Sequence, residues 1–253
     1  MDDLLRVAVR VDAVDGEVAR ALMLELAPEG LEEVEAGDIL ELALYTDLAG
    51  LARVQEHFTI ASASAVPAGW QDAWRAFHRP VIAGGVWIGP PWEVPPRGTP
   101  AVVIDPGLAF GTGAHATTRL CLELLARQPR GSLLDVGCGS GVLSIAAARL
   151  GFEPIVAVDN DPVAVEVTRD NAAANGVTLD VRVADGTTAD LPAVDVAVAN
   201  VLLEPVTAIL GRLEAAIAVT SGYLAREQPD VEGWRPSDRL ELDGWAADVF
   251  LAA

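Results

Sequence analysis

The stretch "LLDVGCGSGVLSIAAARLG" at 133–151 constrains this chain more than any other. A short apolar run leads into three glycines, Gly137, Gly139 and Gly141, and a helical pattern starts directly behind them. A glycine-rich turn between strand and helix lets backbone approach a ligand closely and presents the helix N-terminus to a negative group. That context belongs to a parallel α/β sheet. The dinucleotide fingerprint requires glycine at 142, where Val142 stands, so the spacing is GxGxG instead.

The surrounding residues extend the same architecture. "EPIVAVD", "TLDVRVAD" and "VDVAVAN" are Val-rich runs without in/out alternation, as in strands covered on both faces, and "DPVAVEVTRDNAAANG" separates the first two with helical spacing. The predicted domain, 99–253, is a doubly wound Rossmann-like sheet. "DRLELDG" and "WAADVFLAA" close it as an antiparallel hairpin turning at Asp243-Gly244. Between Asn200 and that hairpin, "GRLEAAIAVTSGYLAREQPDVEGWRP" provides a fifth strand, with Pro229 and Pro236 cutting short any following helix.

Residues 1–66 follow another pattern. "LLRVAVRV" alternates like a half-buried strand, "DGEVARALMLELA" has helical spacing with Asp15 as N-cap, and "LEEVEAG" and "DILELALYT" are strands joined near Gly37. "DLAGLARVQEHF" reads as a helix starting at Asp47, and "TIASASAV" as a fourth strand. The order βαββαβ predicts a small α+β, ferredoxin-like domain. Residues 67–98 form an aromatic and Pro-rich linker, with a short helix in "PAGWQDAWRAFHRP" and a Gly-broken strand in "VIAGGVWIGP".

Composition limits the partners. With 17 basic and 37 acidic residues the formal charge is -20, which repels a phosphate backbone and favours a basic protein partner. All the basic residues are Arg, read as genome composition rather than as an enzyme acting on lysine that avoids modifying itself. Two cysteines, Cys121 and Cys138, have no zinc spacing and make no disulfide framework, so a reducing, cytoplasmic setting is expected. Met1-Asp2-Asp3 is acidic where a signal peptide is basic, and no apolar run reaches the ~20 residues of a membrane span. His57, His78 and His115 are scattered, and no metal is expected.

The GxGxG spacing resembles the first motif of S-adenosylmethionine-dependent methyltransferases. Asp135 precedes the loop, and Asp159 ends the next strand, placed like the acidic residue that accepts hydrogen bonds from ribose hydroxyls. Two carboxylates and no basic residue in the loop suit a cationic sulfonium better than a pyrophosphate. Asp185, after the third strand, is either an adenine contact or an exposed turn residue. Asn200 closes the fourth strand at the edge where open α/β sheets bind ligands, and an amide there needs a partner.

"DPGLAFGTGAHATTR" at 105–119 fits neither a clean helix nor a clean strand. Together with "LLDVGCGSGVLSIAAARLG", "VAVDNDPVAVEVTRDNAAANGV" and "VANVLLEPV" it resembles the ribosomal protein L11 methyltransferase family, and "WQDAWRAFHRPVIAGGVWIGPPW" is similar to that family's linker. The resemblance implies that the 105–119 stretch covers the cofactor. Phe110, Thr112 and Asn200 then serve the reacting end, while Thr118, Asp135, Gly137, Gly139, Gly141, Asp159, Asp185 and Asn200 contact S-adenosyl-L-methionine. His115 is read as a loop cap. The implied substrate is ribosomal protein L11, modified at its N-terminal α-amine and at lysine side chains, with residues 1–66 docking it. Residues 1–66 themselves share little of the family's sequence. Same-fold transfer to another protein or a small amine, and cofactor binding without turnover, are the alternatives. A nucleic-acid substrate is disfavoured because Val201, Leu202 and Leu203 follow Asn200, with no aromatic platform for a flipped base.

Overall fold

The computed structural model describes residues 5–12, 32–36, 39–65, 79–105 and 113–253, together with Gly16, Ala19, Arg20, Leu22 and Met23. The described residues fall into two compact units, one within 1–77 and one within 78–253.

In the first unit, β1 (Leu5–Asp12), β2 (Glu32–Ala36), β3 (Ile39–Thr46) and β4 (Ile60–Ala65) form one sheet in the order β2-β3-β1-β4. All its neighbour pairs are antiparallel. Strand alternation sends Val7, Val9, Leu40, Leu42 and Leu44 into one core, which Ala19, Met23 and Val54 complete. Val54 comes from α1 (Leu48–His57), whose first turn is capped by Asp47 accepting from the Gly50 N–H at 2.8 Å. Arg6 and Arg10 pair with Glu32 and Glu41, charges that stay out of the core. Gly16, Ala19, Arg20, Leu22 and Met23 are helical, and the remaining positions of the predicted 15–27 helix, Asp15 included, lie outside the described residues, as does Gly37.

The second unit opens with β5 (Val81–Ala83), β6 (Val86–Gly89) and β7 (Ala101–Val103) in a three-stranded sheet. "VIAGGVWIGP" is therefore two strands folded back at Gly84-Gly85 rather than one broken strand, because both glycines take positive φ and reverse the chain. The aromatic helix expected within 67–80 lies mainly outside the described residues. Asn175 holds β7 from the side, accepting from the Val103 N–H at 2.8 Å and donating to the Val103 carbonyl at 2.7 Å.

The large sheet contains β8 (Leu133–Val136), β9 (Ile155–Asp159), β10 (Asp180–Val183), β11 (Val194–Asn200), β12 (Ala215–Leu224), β13 (Trp234–Leu242) and β14 (Trp245–Ala252), in the order β10-β9-β8-β11-β12-β14-β13. The strands from β10 through β12 run parallel, and β14 and β13 are added antiparallel. Leu133, Val196, Val198, Val219 and Val249 pack on one face beneath α2 (Ala116–Arg127) and α3 (Val142–Leu150). α4 (Pro162–Ala174) shares that face through Ala172. On the other face Leu134, Val136, Ala197, Ala199 and Phe250 meet Val206, Ile209 and Leu210 of α5 (Leu203–Leu210). Each fully buried Leu or Val stabilises the fold by ~1.5–3 kcal/mol, so both layers are needed to cover the sheet.

Two expectations change after β12. No helix follows it, since 225–233 contain only turns and irregular backbone. Pro236 does not stop a helix there. It lies in the edge strand β13, at a register shift before Asp238, where a missing N–H is tolerated. The hairpin turns at Asp243 (φ 51°) and Gly244 (φ 82°) as the sequence predicts.

Candidate cofactor and methyl-transfer site

The parallel sheet changes winding direction between β8 and β11, and a ligand of such a sheet binds at the carboxyl ends of the strands flanking that point. The glycine loop leaves β8 there, and Asn200 ends β11 there; their last paired residues are Val136 and Ala199. The loop is held by its neighbours. Gly137 and Cys138 donate their N–H groups to the Val158 carbonyl at 2.8 and 3.1 Å, and Gly139 donates to Asp159 Oδ2 at 2.9 Å. From α4, Thr168 Oγ1 donates to the Gly139 carbonyl at 2.8 Å and Asn171 Nδ2 to the Ser140 carbonyl at 2.9 Å. Gly137, Gly139 and Gly141 all have positive φ.

Asp135 is fully buried. Its Oδ2 accepts from the Ser144 N–H at 3.1 Å and the Ser144 hydroxyl at 2.6 Å, tying β8 to the first turn of α3. Its Oδ1 is buried with no hydrogen-bond partner among the described residues. Burial pushes the Asp135 carboxyl up to about 6; the Asp159 charge adds to the rise, while the Ser144 hydrogen bonds oppose it. Asp159 is half-buried and accepts from Gly139 N–H through Oδ2 and from Asp161 N–H through Oδ1, at 2.9 and 3.0 Å. Each oxygen still has room for a second donor.

Thr118 and Asn200, 82 positions apart, meet: Asn200 Nδ2 donates to Thr118 Oγ1 at 3.4 Å, a long bond. Thr118 is buried in the first turn of α2. His115 caps that helix, with Nδ1 accepting from the Thr117 N–H, and its ring stands edge-on to Trp245 at 5.0 Å. The "ATTR" portion of the 105–119 stretch is thus the start of a helix, hidden in the sequence because its cap is a histidine.

Asp185 is exposed beyond β10, and its Oδ1 accepts from the Thr187 N–H and hydroxyl at 2.8 and 2.6 Å. The Thr187 hydrogen bonds hold its carboxyl below the usual range. Phe110 and Thr112 lie outside the described residues. Cys121 and Cys138 are buried free thiols. Among the described residues no cluster of His, Cys, Asp or Glu could hold a metal, and no helix is long and apolar enough to cross a membrane.

Sequence reasoning missed the loop's holders, Ser144, Thr168 and Asn171. A signal existed: Thr168, Asn171 and Asn175 are polar at spacings of three and four, the stripe of one helix face, and all three are buried. Polar groups on a buried face must have partners, and here those partners are the loop and β7.

The donor set suits one kind of ligand. Two carboxylates, a buried unpaired carboxylate oxygen and no basic side chain in 133–141 favour a cationic group, and the glycines leave room for it. Sheet order, loop and site together define a Rossmann-like, methyltransferase-type fold. In agreement, a ribosomal protein L11 methylase from Lactobacillus delbrueckii subsp. bulgaricus superposes with a TM-score of 0.59 at 27% identity, over 66% of this chain and 95% of that one.

Residues 33–246 match the family described as Ribosomal protein L11 methyltransferase (PrmA), and the chain belongs to that family. A relative of that name from Myxococcus xanthus (strain DK1622) is 40% identical over 173 residues, covering 64% of this chain and 60% of the relative. One from Symbiobacterium thermophilum is 39% identical over 198 residues, covering 72% and 65%. The chain thus spans less than two thirds of the length of these two relatives.

Proposed function

We propose that this protein transfers methyl groups from S-adenosyl-L-methionine to amino groups of ribosomal protein L11, the N-terminal α-amine and lysine side chains. The observation that carries the reading is the meeting of Asn200 and Thr118 beside the GxGxG loop at the sheet's switch point. Bound S-adenosylmethionine supplies an electrophilic methyl group on a sulfonium. The chain's own residues bind, orient and exclude water.

Gly137, Gly139 and Gly141 provide close backbone approach, and Asp159 accepts from ribose hydroxyls with the capacity its oxygens retain. Asp135 supplies buried negative charge beneath the loop. Asp185 completes the cofactor-binding set at the end of β10. An ammonium has no lone pair, so the substrate amine reaches the site deprotonated. Asn200 Nδ2 faces Thr118 Oγ1, and the Asn200 carboxamide oxygen is the acceptor available for the amine's N–H. Phe110 and Thr112 join Asn200 at the reacting end on the family resemblance alone.

The domain reading is part of the same proposal: a ferredoxin-like recognition domain at 1–66, a linker at 67–98 whose β5 and β6 join β7 in one sheet and pack on the second unit's core, and the transfer domain at 99–253. The antiparallel order β2-β3-β1-β4 with a helix before β4 supports the first. A chain of charge -20 also steers a basic ribosomal protein and repels nucleic acid.

The test is incubation with methyl-labelled S-adenosylmethionine and unmethylated L11, with the label located by mass spectrometry. Label on the α-amine and lysines is the expected result. Cofactor binding by calorimetry without label on L11 would transfer the reading to another amine substrate, and absence of both would leave the fold without this activity.

A further inference from the structure

Asn200 has one side-chain hydrogen bond among the described residues, and at 3.4 Å it is too long to fix the amide by itself. The position of Asn200 must be set through its backbone. The next residue, Val201, is enclosed by two glycines that have no space for a side chain. A Cβ on Gly137 would stand 2.5 Å from Val201 Cγ1. A Cβ on Gly222 would stand 2.0 Å from the Val201 carbonyl oxygen and 2.9 Å from its nitrogen.

Gly222 has φ of 102°, and the pairing of β12 with β14 shifts register between Ser221 and Tyr223, so it is a bulge. The Val201 N–H donates to the Ser221 carbonyl at 3.1 Å, continuing the ladder in which Asn200 pairs with Ser221. Val201 is itself partly buried against the core, while the next residue, Leu202, is 70% exposed.

We infer that Val201, wedged between Gly137 and the Gly222 bulge, is a positioning residue that sets where Asn200 presents its amide relative to the glycine loop. The inference rests on the proposed methyl transfer for its kinetic consequence but not for its geometry. Deleting the two Val201 methyls opens space against Gly137 and lets the Asn200 backbone move. Threonine has valine's shape and keeps the wedge. Gly222→Ala pushes on the same residue from the opposite side.

The experiment takes the full chain with Val201→Ala, Val201→Thr and Gly222→Ala through crystal structures, L11 methylation kinetics, cofactor calorimetry and thermal unfolding. Val201→Ala is expected to move Asn200 out of reach of Thr118 and lower kcat about 10- to 100-fold, the cost of misplacing a reacting group, with cofactor Kd within about threefold. Val201→Thr returns kcat to within about threefold of wild type, because shape rather than chemistry fixes the position. Should Val201→Ala fail to fold, Gly222→Ala is held to the same expectation. An unmoved Asn200, an unchanged kcat, or a cofactor affinity that falls as far as kcat would overturn the inference. A wild-type chain that methylates nothing refutes the functional reading, while displacement of Asn200 in the crystal still decides the positioning.

Discussion

Two carboxylates among the described residues of the second unit are fully buried, and they are treated differently. Asp248, on β14, has every oxygen satisfied: Oδ2 accepts from Tyr223 Oη and Arg239 Nη1, and Oδ1 from Gln228 Nε2, each at 2.8 Å. Asp135, on β8, has one oxygen held by Ser144 and one with no partner among the described residues. A buried charge that is completely paired ties elements together, here β12, β13 and β14. A half-paired one costs stability and is tolerated where a ligand restores the balance. The distinction sets a fully paired structural carboxylate apart from the one proposed to face the cofactor, which burial alone does not.

The largest effect that can break this comparison is expected from Asp248→Ala. Removing it leaves Arg239 and Tyr223 without their buried acceptor, a loss of ~3–5 kcal/mol in urea unfolding, with cofactor affinity of the folded fraction unchanged. A loss below ~1 kcal/mol would put Asp248 in the same class as exposed pairs. Asp159→Ala should act in the reverse sense, weakening cofactor binding by ~1–3 kcal/mol in calorimetry, as for loss of a charged hydrogen-bond partner, while the unfolding midpoint hardly moves. Unchanged affinity would refute its ribose role.

Asp135 sharpens the comparison through pH. Its folded-state carboxyl titrates at about 6, above the ordinary value, so the native chain takes up a proton as pH falls through about 6. The cost of the buried charge is therefore present above that pH and disappears towards pH 4. Relative to wild type, Asp135→Asn should gain stability as pH is raised from 4 to 7, read from paired melting curves. A cation binds the ionised form better, so wild-type cofactor affinity should weaken below about pH 6, and the variant should lose that slope. Equal slopes would remove Asp135 from the cofactor site. The smallest effect is expected for Asp185→Ala, whose Oδ1 already accepts from the Thr187 N–H and hydroxyl. It should weaken cofactor binding less than Asp159→Ala does, and no change at all would leave Asp185 a turn residue.

Some of the site was legible because it depends on local backbone. The GxGxG spacing and Asp159 at the next strand end follow from the strand-turn-helix pattern, and the Asp47 cap follows from a short polar side chain at a helix start. Other features have no local signature. α5 was not anticipated, since Leu202 gives it no capping side chain and Pro205 stands in its first turn. Thr168 and Asn171 look like an ordinary polar helix face until the glycine loop lies against them.

The sequence by itself determined the parallel α/β character of the second unit, the position of its glycine loop, the closing hairpin and a charge balance that favours a basic partner. These are carried by periodicity, turn chemistry and net charge, properties of neighbouring residues or of the whole composition. Only the tertiary structure decided that Thr118 meets Asn200, that Asp135 keeps an oxygen unpaired among the described residues and that Val201 is wedged between Gly137 and Gly222. Each of those contacts joins residues far apart in the chain, and whether a polar group is satisfied or a side chain confined depends on what the other elements place against it.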